Sequence, residues 1–412
     1  MDCKEIKATT NTEEKKYESQ KCEKSLSENN QEQDIVPRKI PCLNSEEDDS
    51  KKMNEPDSTN KLPSQTYQPN LILSDEVNCG ESKPVENNYK VDSTSVDNLV
   101  TPEEDSKEKD EESNICEDLA KAMVEKGVDG ILTEFYSLNH DFEESDFALF
   151  FNFGNMSRNR YRDIVLKDAT RIILEDEEND YIHANYVSTP SNSKRFICCQ
   201  APLESTTEHF WKMILQEDTE YIFMLCHFIE EGRSKCHPYY PEVVGEKLII
   251  NNLTIENVEL EDHPTEHDLR VCVLNIYDGD KLKKTVKHWQ YVSWPDKKVP
   301  LLSETIFYAL DNMRCSQTPI VVHCSAGIGR TGTVVFLENL LEKIKNGDIV
   351  NETPARILES IRKQRAMSVQ TPMQYLYTHR LLLSYLLRKG KIQETPGLTK
   401  FFQEYDDEYK DH

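Results

Sequence analysis

Residues 321–332 read VVHCSAGIGRTG and combine a short apolar strand, a glycine-rich loop and the start of a helix. In this layout the loop N–H groups can converge on a bound anion, and the helix N-terminus adds positive potential. Cys324 lies at the base of the predicted loop, where donors that bind an oxyanion also favour a thiolate. Arg330 can offer a planar fork to two oxygens of the anion. The stretch therefore predicts an oxyanion cradle built around a nucleophilic thiol.

A second motif supplies the acid that such a thiol needs. A thiolate that attacks phosphorus requires a general acid for the leaving group. Trp294-Pro295-Asp296 ends 28 residues before Cys324 and can form a turn anchored by the indole. We expect Asp296 to be carried on a loop that closes over substrate. Thr331 could donate its hydroxyl to the sulfur when the sulfur becomes the leaving group.

Strand-like and helix-like segments alternate around these two motifs. Tyr221–Phe228 is a continuous apolar run of strand length, typical of a strand covered on both faces. Thr333–Lys345 has apolar residues on one helical face and ends before Asn346 and Gly347. Alternating strands and helices indicate an α/β fold, which we expect to contain a twisted mixed sheet flanked by helices. Further predicted strands are Tyr181–Ser188, Arg195–Cys199, Lys247–Leu260 and Asp268–Tyr277, and further helices are Phe210–Leu215 and Ser303–Met313.

Composition separates the first 113 residues from the rest. They carry 15 Lys and Arg against 28 Asp and Glu, a net charge of −13, which is half of the −26 of the 412-residue chain. They contain no Trp or Phe, and so few apolar groups cannot offset chain entropy. The predicted organisation is a disordered acidic N-terminal tail over 1–113, a single folded domain over 114–390 and a short acidic C-terminal tail over 391–412. Ser113 would cap the first helix, which Gly127 and Gly130 would interrupt.

Composition also excludes several classes of protein. A net charge of −26 argues against nucleic acid as a partner. No run approaches the roughly 18 apolar residues of a membrane span, so we expect no transmembrane segment. The N-terminus lacks the apolar region of a secretory signal, and 12 cysteines without such a signal predict reduced thiols and a cytoplasmic protein.

These features, with further motifs, resemble those of the tyrosine-specific protein phosphatases of non-receptor type, a cysteine-dependent and metal-free family. The resemblance spans about residues 130–388, and the motifs occur in the family's order. The matching segments are Asn159–Asp163, Asp180–Tyr186, Gln200–Leu203, Glu230, Lys235-Cys236, His288–Asp296 and Arg362–Tyr375.

The resemblance implies hydrolysis of phosphotyrosine in proteins through a cysteinyl-phosphate intermediate, with no metal or other cofactor and with tyrosine-phosphorylated proteins as partners. Cys324 would be the nucleophile, Asp296 the general acid and then base, and Arg330 the group that binds phosphate. Gln370 would hold the hydrolytic water, assisted by Gln374.

The resemblance also implies how substrate is bound. Tyr161 would stack on the substrate ring and set a depth that phosphotyrosine reaches and phosphoserine does not, and Asp163 would hold the peptide backbone. The other implied substrate-binding residues are Arg162, Ser325, Ala326, Gly327, Ile328 and Gly329. The implied supporting residues are Thr331, His323, Trp294, Glu230 (paired with Arg330) and Lys235 (holding the acid loop).

The sequence departs from the family's pattern beside the acid. The family usually has Asp-x-Gly after Trp-Pro, whereas this chain has Asp296-Lys297-Lys298. Loss of the glycine could slow loop closure, and the two lysines could attract acidic phosphopeptides. His183 stands where the family prefers Asn.

Two other functions stay open. One is a phosphotyrosine-binding pseudophosphatase or adaptor, which only Lys297 and Lys298 favour and which the full set of catalytic residues disfavours. The other is a dual-specificity or lipid phosphatase, which the domain size and the Tyr161 segment disfavour.

Overall fold

A computed structural model of the chain describes residues 102–138, 142–261 and 266–411. The predicted disorder over 1–101 lies outside the described residues. The helices are α1 (Pro102–Ser137), α2 (Ala148–Phe151), α3 (Thr207–Gln216), α4 (Thr305–Met313), α5 (Arg330–Lys345), α6 (Pro354–Gln364), α7 (Pro372–Arg388) and α8 (Pro396–Asp411). The strands are β1 (Arg171–Ile173), β2 (Tyr181–Thr189), β3 (Asn192–Cys199), β4 (Tyr221–Met224), β5 (Ile229–Glu230), β6 (Arg233–Ser234), β7 (Lys247–Ile250), β8 (Leu253–Glu261), β9 (Leu269–Asp278), β10 (Lys281–Tyr291) and β11 (Ile320–His323).

Within the described residues, nine strands form one mixed sheet in the order β1-β2-β3-β11-β4-β10-β9-β8-β7. The four central strands, β3, β11, β4 and β10, are mutually parallel, and the outer pairs are antiparallel. The predicted α/β fold, a twisted mixed sheet flanked by helices, is confirmed.

The parallel centre of the sheet gathers the predicted site. Parallel strands end at the same sheet edge, and ligands of α/β proteins bind outside that edge. β3 leads into Gln200, β11 into Cys324 and β10 into the segment that carries Asp296. The parallel direction of these strands therefore brings three parts of the sequence, each more than 25 residues from the next, to one edge of the sheet.

β4 is shorter than the predicted strand Tyr221–Phe228. It ends at Met224, and the N–H of Leu225 makes the last hydrogen bond along β11, to the carbonyl of His323 (2.8 Å). Phe228 instead accepts a backbone hydrogen bond from Lys235 (2.9 Å), which closes the small β5–β6 hairpin. Past the strand, the apolar run therefore continues as a turn in which Leu225 and Cys226 are buried and His227 is exposed.

The predicted start of the folded domain at residue 114 is wrong. α1 begins at Pro102, and Ser113 lies inside it rather than at its cap. The Ser113 hydroxyl donates to the carbonyl of Lys391 (3.3 Å). Gly127 does break the helical geometry (φ 68°, ψ 174°), but Gly130 does not. Ser113 therefore contributes a tertiary contact and not a helix cap.

The predicted C-terminal tail over 391–412 is also wrong, because residues Pro396–Asp411 form α8. Leu398, Phe401 and Tyr405 are buried, and they recur at three- and four-residue spacing. The guanidinium of Arg380 in α7 lies 3.5 Å from the ring centroid of Phe402. Because polar and charged residues lie between these positions, the composition of the segment does not reveal its apolar helical face.

We expect the docking of α8 to contribute to stability. Phe401→Ala should lower the free energy of unfolding by about 3 kcal/mol, because it removes a fully buried ring. Lys400→Ala, at the exposed neighbouring position, should change it by less than about 0.5 kcal/mol. Urea unfolding of the full chain measures both. Equal effects of the two substitutions would contradict the packing of α8.

Candidate active site

Residues 324–329 form a loop between β11 and α5 with the thiol of Cys324 at its base. Cys324 is 3 % exposed, and its Sγ accepts a hydrogen bond from the N–H of Gly327 (3.2 Å). α5 begins at Arg330, so its N-terminus faces the loop. This arrangement suits an anion bound above the sulfur.

The loop carbonyls all have partners outside the cradle. Along the loop the pairs are Ser325 O with Ala201 N (3.0 Å), Ala326 O with Arg365 Nη2 (3.0 Å), Gly327 O with Arg365 Nε (3.1 Å), Ile328 O with Val369 N (2.9 Å) and Gly329 O with Thr333 N (2.9 Å). In a trans peptide the C=O and the following N–H point in opposite directions. Outward carbonyls therefore turn the N–H groups of residues 326–330 inward.

Arg365 is the buried group that holds two of those carbonyls. Its Nη1 donates to Asn185 Oδ1 (2.9 Å) and lies 3.2 Å from His183 Nδ1. Burial and the charge of Arg365 lower the pKa of His183 to about 3, so this imidazole is neutral. Its Nε2 donates to the carbonyl of Ile164 (2.9 Å), which leaves Nδ1 to accept from Arg365. His183, at the position where the family prefers Asn, thus acts as a hydrogen-bond acceptor for Arg365.

Gly327 is required by two independent constraints. Its φ is +71°, and an added Cβ would lie 2.0 Å from the carbonyl oxygen of Cys199. The first constraint disfavours any L side chain, and the second excludes one, because the neighbour is backbone of β3.

Arg330 lies at the centre of a charge network over the cradle. Its two Nη atoms donate to Glu230 Oε1 (2.6 Å) and Oε2 (2.8 Å), and Nη1 also donates to the carbonyl of Trp294 (2.9 Å). Nη2 is 3.1 Å from Asp296 Oδ1. Lys235 Nζ donates to the other oxygen of Asp296. Asp296 therefore bridges the two cations.

The charges around Asp296 control its protonation. Burial would raise the pKa of this carboxyl, but the hydrogen bond from Lys235 and the charge of Arg330 outweigh burial and lower the pKa. Asp296 is consequently ionised at neutral pH. An anion that occupied the cradle would compete for Arg330 and add negative charge beside the carboxylate, which favours its protonated form.

The acid loop is anchored by its tryptophan. The indole Nε1 of Trp294 donates to the carbonyl of Lys298 (3.0 Å), which closes the turn around Asp296. The left-handed backbone of this turn falls on Lys297 (φ 59°), not on Lys298, where the family has glycine. In this turn the left-handed conformation is therefore adopted by a residue with a side chain.

The Tyr161 segment borders the cradle. Tyr161 Oη is 2.7 Å from Ser325 Oγ, which donates to the carbonyl of Lys235 (2.8 Å). Arg160 fastens the segment to the chain after β3, through Nη2 to the carbonyl of Pro202 (2.6 Å). Arg162 and Asp163 are exposed beside it.

The two glutamines lie against the opposite side of the loop. An added Cβ on Gly329 would lie 3.1 Å from both Gln370 Oε1 and Gln374 Nε2. The side chain of Gln374 accepts from the N–H of Gln370 (3.0 Å) within the cap of α7, where Thr371 is the N-cap residue. Helix capping therefore fixes Gln374, and the bare glycine leaves room for both amides.

A buried hydrogen-bond chain lies behind Cys324. Tyr239 Oη is 2.7 Å from His323 Nε2 and 2.6 Å from His288 Nε2, and His323 Nδ1 is 3.1 Å from the carbonyl of Cys324. Because a carbonyl only accepts, His323 carries its proton on Nδ1 and accepts from Tyr239. His288 must then donate to Tyr239, which agrees with a lone Nδ1 that has no hydrogen-bond partner among the described residues. The chain fixes the carbonyl of Cys324 from behind.

The donation from Thr331 to Cys324, predicted for the step in which the sulfur leaves, stays a prediction. The Thr331 hydroxyl is buried and lacks a hydrogen-bond partner within the described part of the chain. An unpartnered buried hydroxyl costs about 1–3 kcal/mol. The Thr331 hydroxyl is thus available as a hydrogen-bond donor next to the loop of residues 324–329.

The structure adds site residues that the motifs alone did not identify. Tyr239 and His288 are linked to the cradle by hydrogen bonds through His323. Arg365 lies in the matching segment that contains Gln370 and Gln374, but it holds the loop carbonyls. Arg365 could have been suspected, because a buried arginine needs several acceptors. In the three described ranges, no group of three or more His, Cys, Asp or Glu side chains could hold a metal ion. No helix in those ranges is long and apolar enough to span a membrane.

The two constraints on Gly327 can be separated by a matched pair of substitutions. Gly279→Ala, at a hairpin glycine with φ +57° and no atom within 4 Å of an added Cβ, should cost about 1 kcal/mol of stability. Gly327→Ala should cost several times more and abolish sulfate binding, because the new Cβ displaces the loop. Urea unfolding and calorimetric titration with sulfate measure these effects. Retained sulfate affinity in Gly327→Ala would contradict the cradle geometry.

Comparisons with known proteins agree with this architecture. Residues 155–384 match the model of the protein-tyrosine phosphatase family. Human tyrosine-protein phosphatase non-receptor type 9 is 31 % identical over 293 residues, covering 65 % of this chain and 48 % of the relative. Human tyrosine-protein phosphatase non-receptor type 4 is 37 % identical over 238 residues, covering 56 % of this chain and 25 % of the relative. The chain thus spans about half or less of the length of these relatives.

Solved structures show the same fold. The catalytic domain of human protein tyrosine phosphatase non-receptor type 18 superimposes with a TM-score of 0.55 and 25 % identity, covering 63 % of this chain and 93 % of that domain. PTPN18 in complex with HER2 phosphopeptides matches with the same TM-score and 26 % identity, covering 62 % of this chain and 92 % of that chain. The family match covers more than half of the 412 residues and includes the cradle, the acid loop and both glutamines. The chain therefore belongs to the protein-tyrosine phosphatase family.

Proposed function

We propose that the protein hydrolyses phosphotyrosine in proteins through a cysteinyl-phosphate intermediate. The observation that carries this proposal is the convergence of Cys324, Arg330 and Asp296 on one loop of inward N–H groups. A thiol at the base, a cation beside it and a carboxyl facing both are the groups needed for in-line phosphoryl transfer. The family match supports the same activity.

In the first step, the thiolate of Cys324 attacks phosphorus, so that an S–P bond forms and the P–O bond to the tyrosine ring breaks. Arg330 and the inward N–H groups of residues 326–330 neutralise charge on the phosphoryl oxygens. Asp296 donates its proton to the departing phenolate oxygen. The bidentate contact with Glu230 fixes the guanidinium plane of Arg330 for this role.

In the second step, water attacks the phosphocysteine, the S–P bond breaks and inorganic phosphate leaves. Asp296, now ionised, accepts the proton of the water. Gln370 and Gln374, which flank Gly329, orient that water. The unpartnered hydroxyl of Thr331 donates to the sulfur as negative charge returns to it.

Tyr161 limits the substrate to phosphotyrosine. Its hydroxyl contacts Ser325 at the rim, so its ring forms a wall of the entrance above the thiol. A phosphorylated aromatic side chain can stack on this wall and reach the sulfur, whereas phosphoserine is too short. The exposed Asp163 is available to hold the peptide backbone. PTPN18, a structural neighbour, is known in complex with phosphopeptides, which supports phosphotyrosine proteins as partners. A cytoplasmic location stays a prediction.

The decisive experiment is turnover of a phosphotyrosyl peptide and of its phosphoseryl counterpart by the full chain. Turnover should be specific for phosphotyrosine. Cys324→Ser should reduce it by about 10⁴-fold or more, with Cys315→Ser, an exposed cysteine, as the inert control. Asp296→Asn should reduce it by about 10²- to 10⁴-fold, with Asp278→Asn as the control. Tight binding without turnover in the unmodified chain would instead identify a phosphotyrosine-binding pseudophosphatase.

The bridged carboxylate leads to a pH-dependent prediction. The pKa of Asp296 is lowered in the free protein, so the carboxyl is ionised at about pH 6, and an anion in the cradle should raise that pKa. Binding of sulfate, whose own charge is constant there, should therefore take up protons, and affinity should weaken as pH rises. Calorimetric titration in two buffers of different ionisation enthalpy measures the uptake. Equal uptake by Asp296→Asn would refute the assignment of the proton to Asp296.

A further inference from the structure

A second cavity lies beside the acid loop, outside the cradle. Its volume is about 360 Å³. Its walls come from the acid loop, from the start of α7 and from the last turn of α8: Pro295, Lys297, Lys298, Val299, Thr371, Pro372, Met373 and Tyr409. The C-terminal helix thus reaches the loop that carries Asp296.

The position of Tyr409 is fixed by packing. Its ring stacks on that of Tyr405, with centroids 6.2 Å apart and planes 21° apart, and Tyr405 is buried in the main core. The same core contains Tyr377 of α7, whose ring lies 6.0 Å from that of Trp294. Tyr409 itself is only half-buried. Its ring is therefore held while one side of it faces the cavity.

The same cavity is also lined by two cations. Lys297 and Lys298 are exposed, and among the described residues no carboxylate lies within ion-pairing distance of either ammonium. Asp296, their neighbour in sequence, is already engaged by Lys235 and Arg330. A phosphate on tyrosine would bring a charge of about −1.5 to −2 and three acceptor oxygens to this cavity.

We propose that Tyr409 is a phosphorylation site whose phosphate pairs with Lys297 and Lys298 and tethers the acid loop to α8. A protein-tyrosine kinase would transfer the γ-phosphoryl group of ATP to Oη of Tyr409. In this step the P–O bond to ADP breaks, an O–P bond to the phenol forms, and the phenolic proton passes to solvent. The flexible stems of the two lysines allow both ammoniums to reach one phosphate.

The consequence of this tether is regulatory. The acid loop must open for substrate to enter and for phosphate to leave, and a loop held by α8 does so more slowly. Turnover should therefore fall about three- to tenfold, mainly through kcat. This effect on turnover rests on the proposed function, whereas the modification and the ion pairing do not.

The first test asks whether the site accepts a phosphate. The full chain with Cys324→Ser, which prevents removal of the mark, is incubated with ATP and a tyrosine kinase of broad specificity, and the sites are mapped by mass spectrometry. Phosphorylation of Tyr409 to a stoichiometry comparable with that of the exposed Tyr136 is expected. Modification of Tyr136 without modification of Tyr409 overturns the proposal.

The second test measures pairing without relying on activity. Phosphonomethyl-phenylalanine, a non-hydrolysable analogue of phosphotyrosine, is placed at position 409 or, as control, at 136 in the full chain. The second ionisation of the phosphonate is followed by ³¹P NMR. Its midpoint at 409 should lie lower than at 136 by ~0.5 pH unit or more, and Lys297→Ala with Lys298→Ala should remove the difference. Equal midpoints, or a difference that survives the double substitution, overturn the pairing.

The same proteins separate the two proposals. Each background is compared with and without the phosphonate at 409, and the ratio of kcat values should be reduced only where the lysines are present. An unmodified chain without turnover would refute the proposed function and leave the ³¹P result to decide the pairing. A chain with normal turnover and an unshifted phosphonate would refute the pairing alone.

Discussion

The outward direction of the loop carbonyls is the constraint on which the rest of the site depends. A peptide group cannot present its N–H to a ligand unless its preceding carbonyl has a partner on the other side. Arg365 supplies that partner for two consecutive peptides, and backbone N–H groups of Ala201 and Val369 supply it for two others. The direction of the N–H groups in the anion site is therefore set by residues on the outer side of the loop, which do not contact the anion.

Strand direction makes this support possible. Because β3, β11, β4 and β10 are parallel, the chain segments that brace the loop arrive at one edge of the sheet. The contact between Gly327 and the carbonyl of Cys199 is the closest of these approaches, and it leaves no space for a side chain. The same geometry brings Tyr239 behind His323, so that a buried phenol and two imidazoles order the backbone of Cys324.

The parts of this site that could be predicted from sequence are those that are contiguous or that follow a recurring pattern. Cys324 and Arg330 occupy one twelve-residue stretch, and Asp296 follows a recognisable Trp-Pro pair. The bracing by His183 and Arg365 joins positions 182 residues apart, and no local pattern encodes it. Composition alone does not predict α8, because polar and charged residues separate Leu398, Phe401 and Tyr405 in the sequence. These three residues form an apolar helical face that packs on other helices.

The contact between α1 and the segment that joins α7 to α8 has a topological consequence. Lys391 pairs with Glu112 (2.7 Å) and accepts from Ser113, and the N–H of Gln393 donates to Glu117 (2.7 Å). α1 is therefore held directly against the segment that precedes α8. Removal of either segment would expose the surface of the other to solvent. Substitutions near residue 112 and near residue 391 therefore affect the same contact. Residues 112 and 391 are thus adjacent in space, although almost 280 residues separate them along the chain.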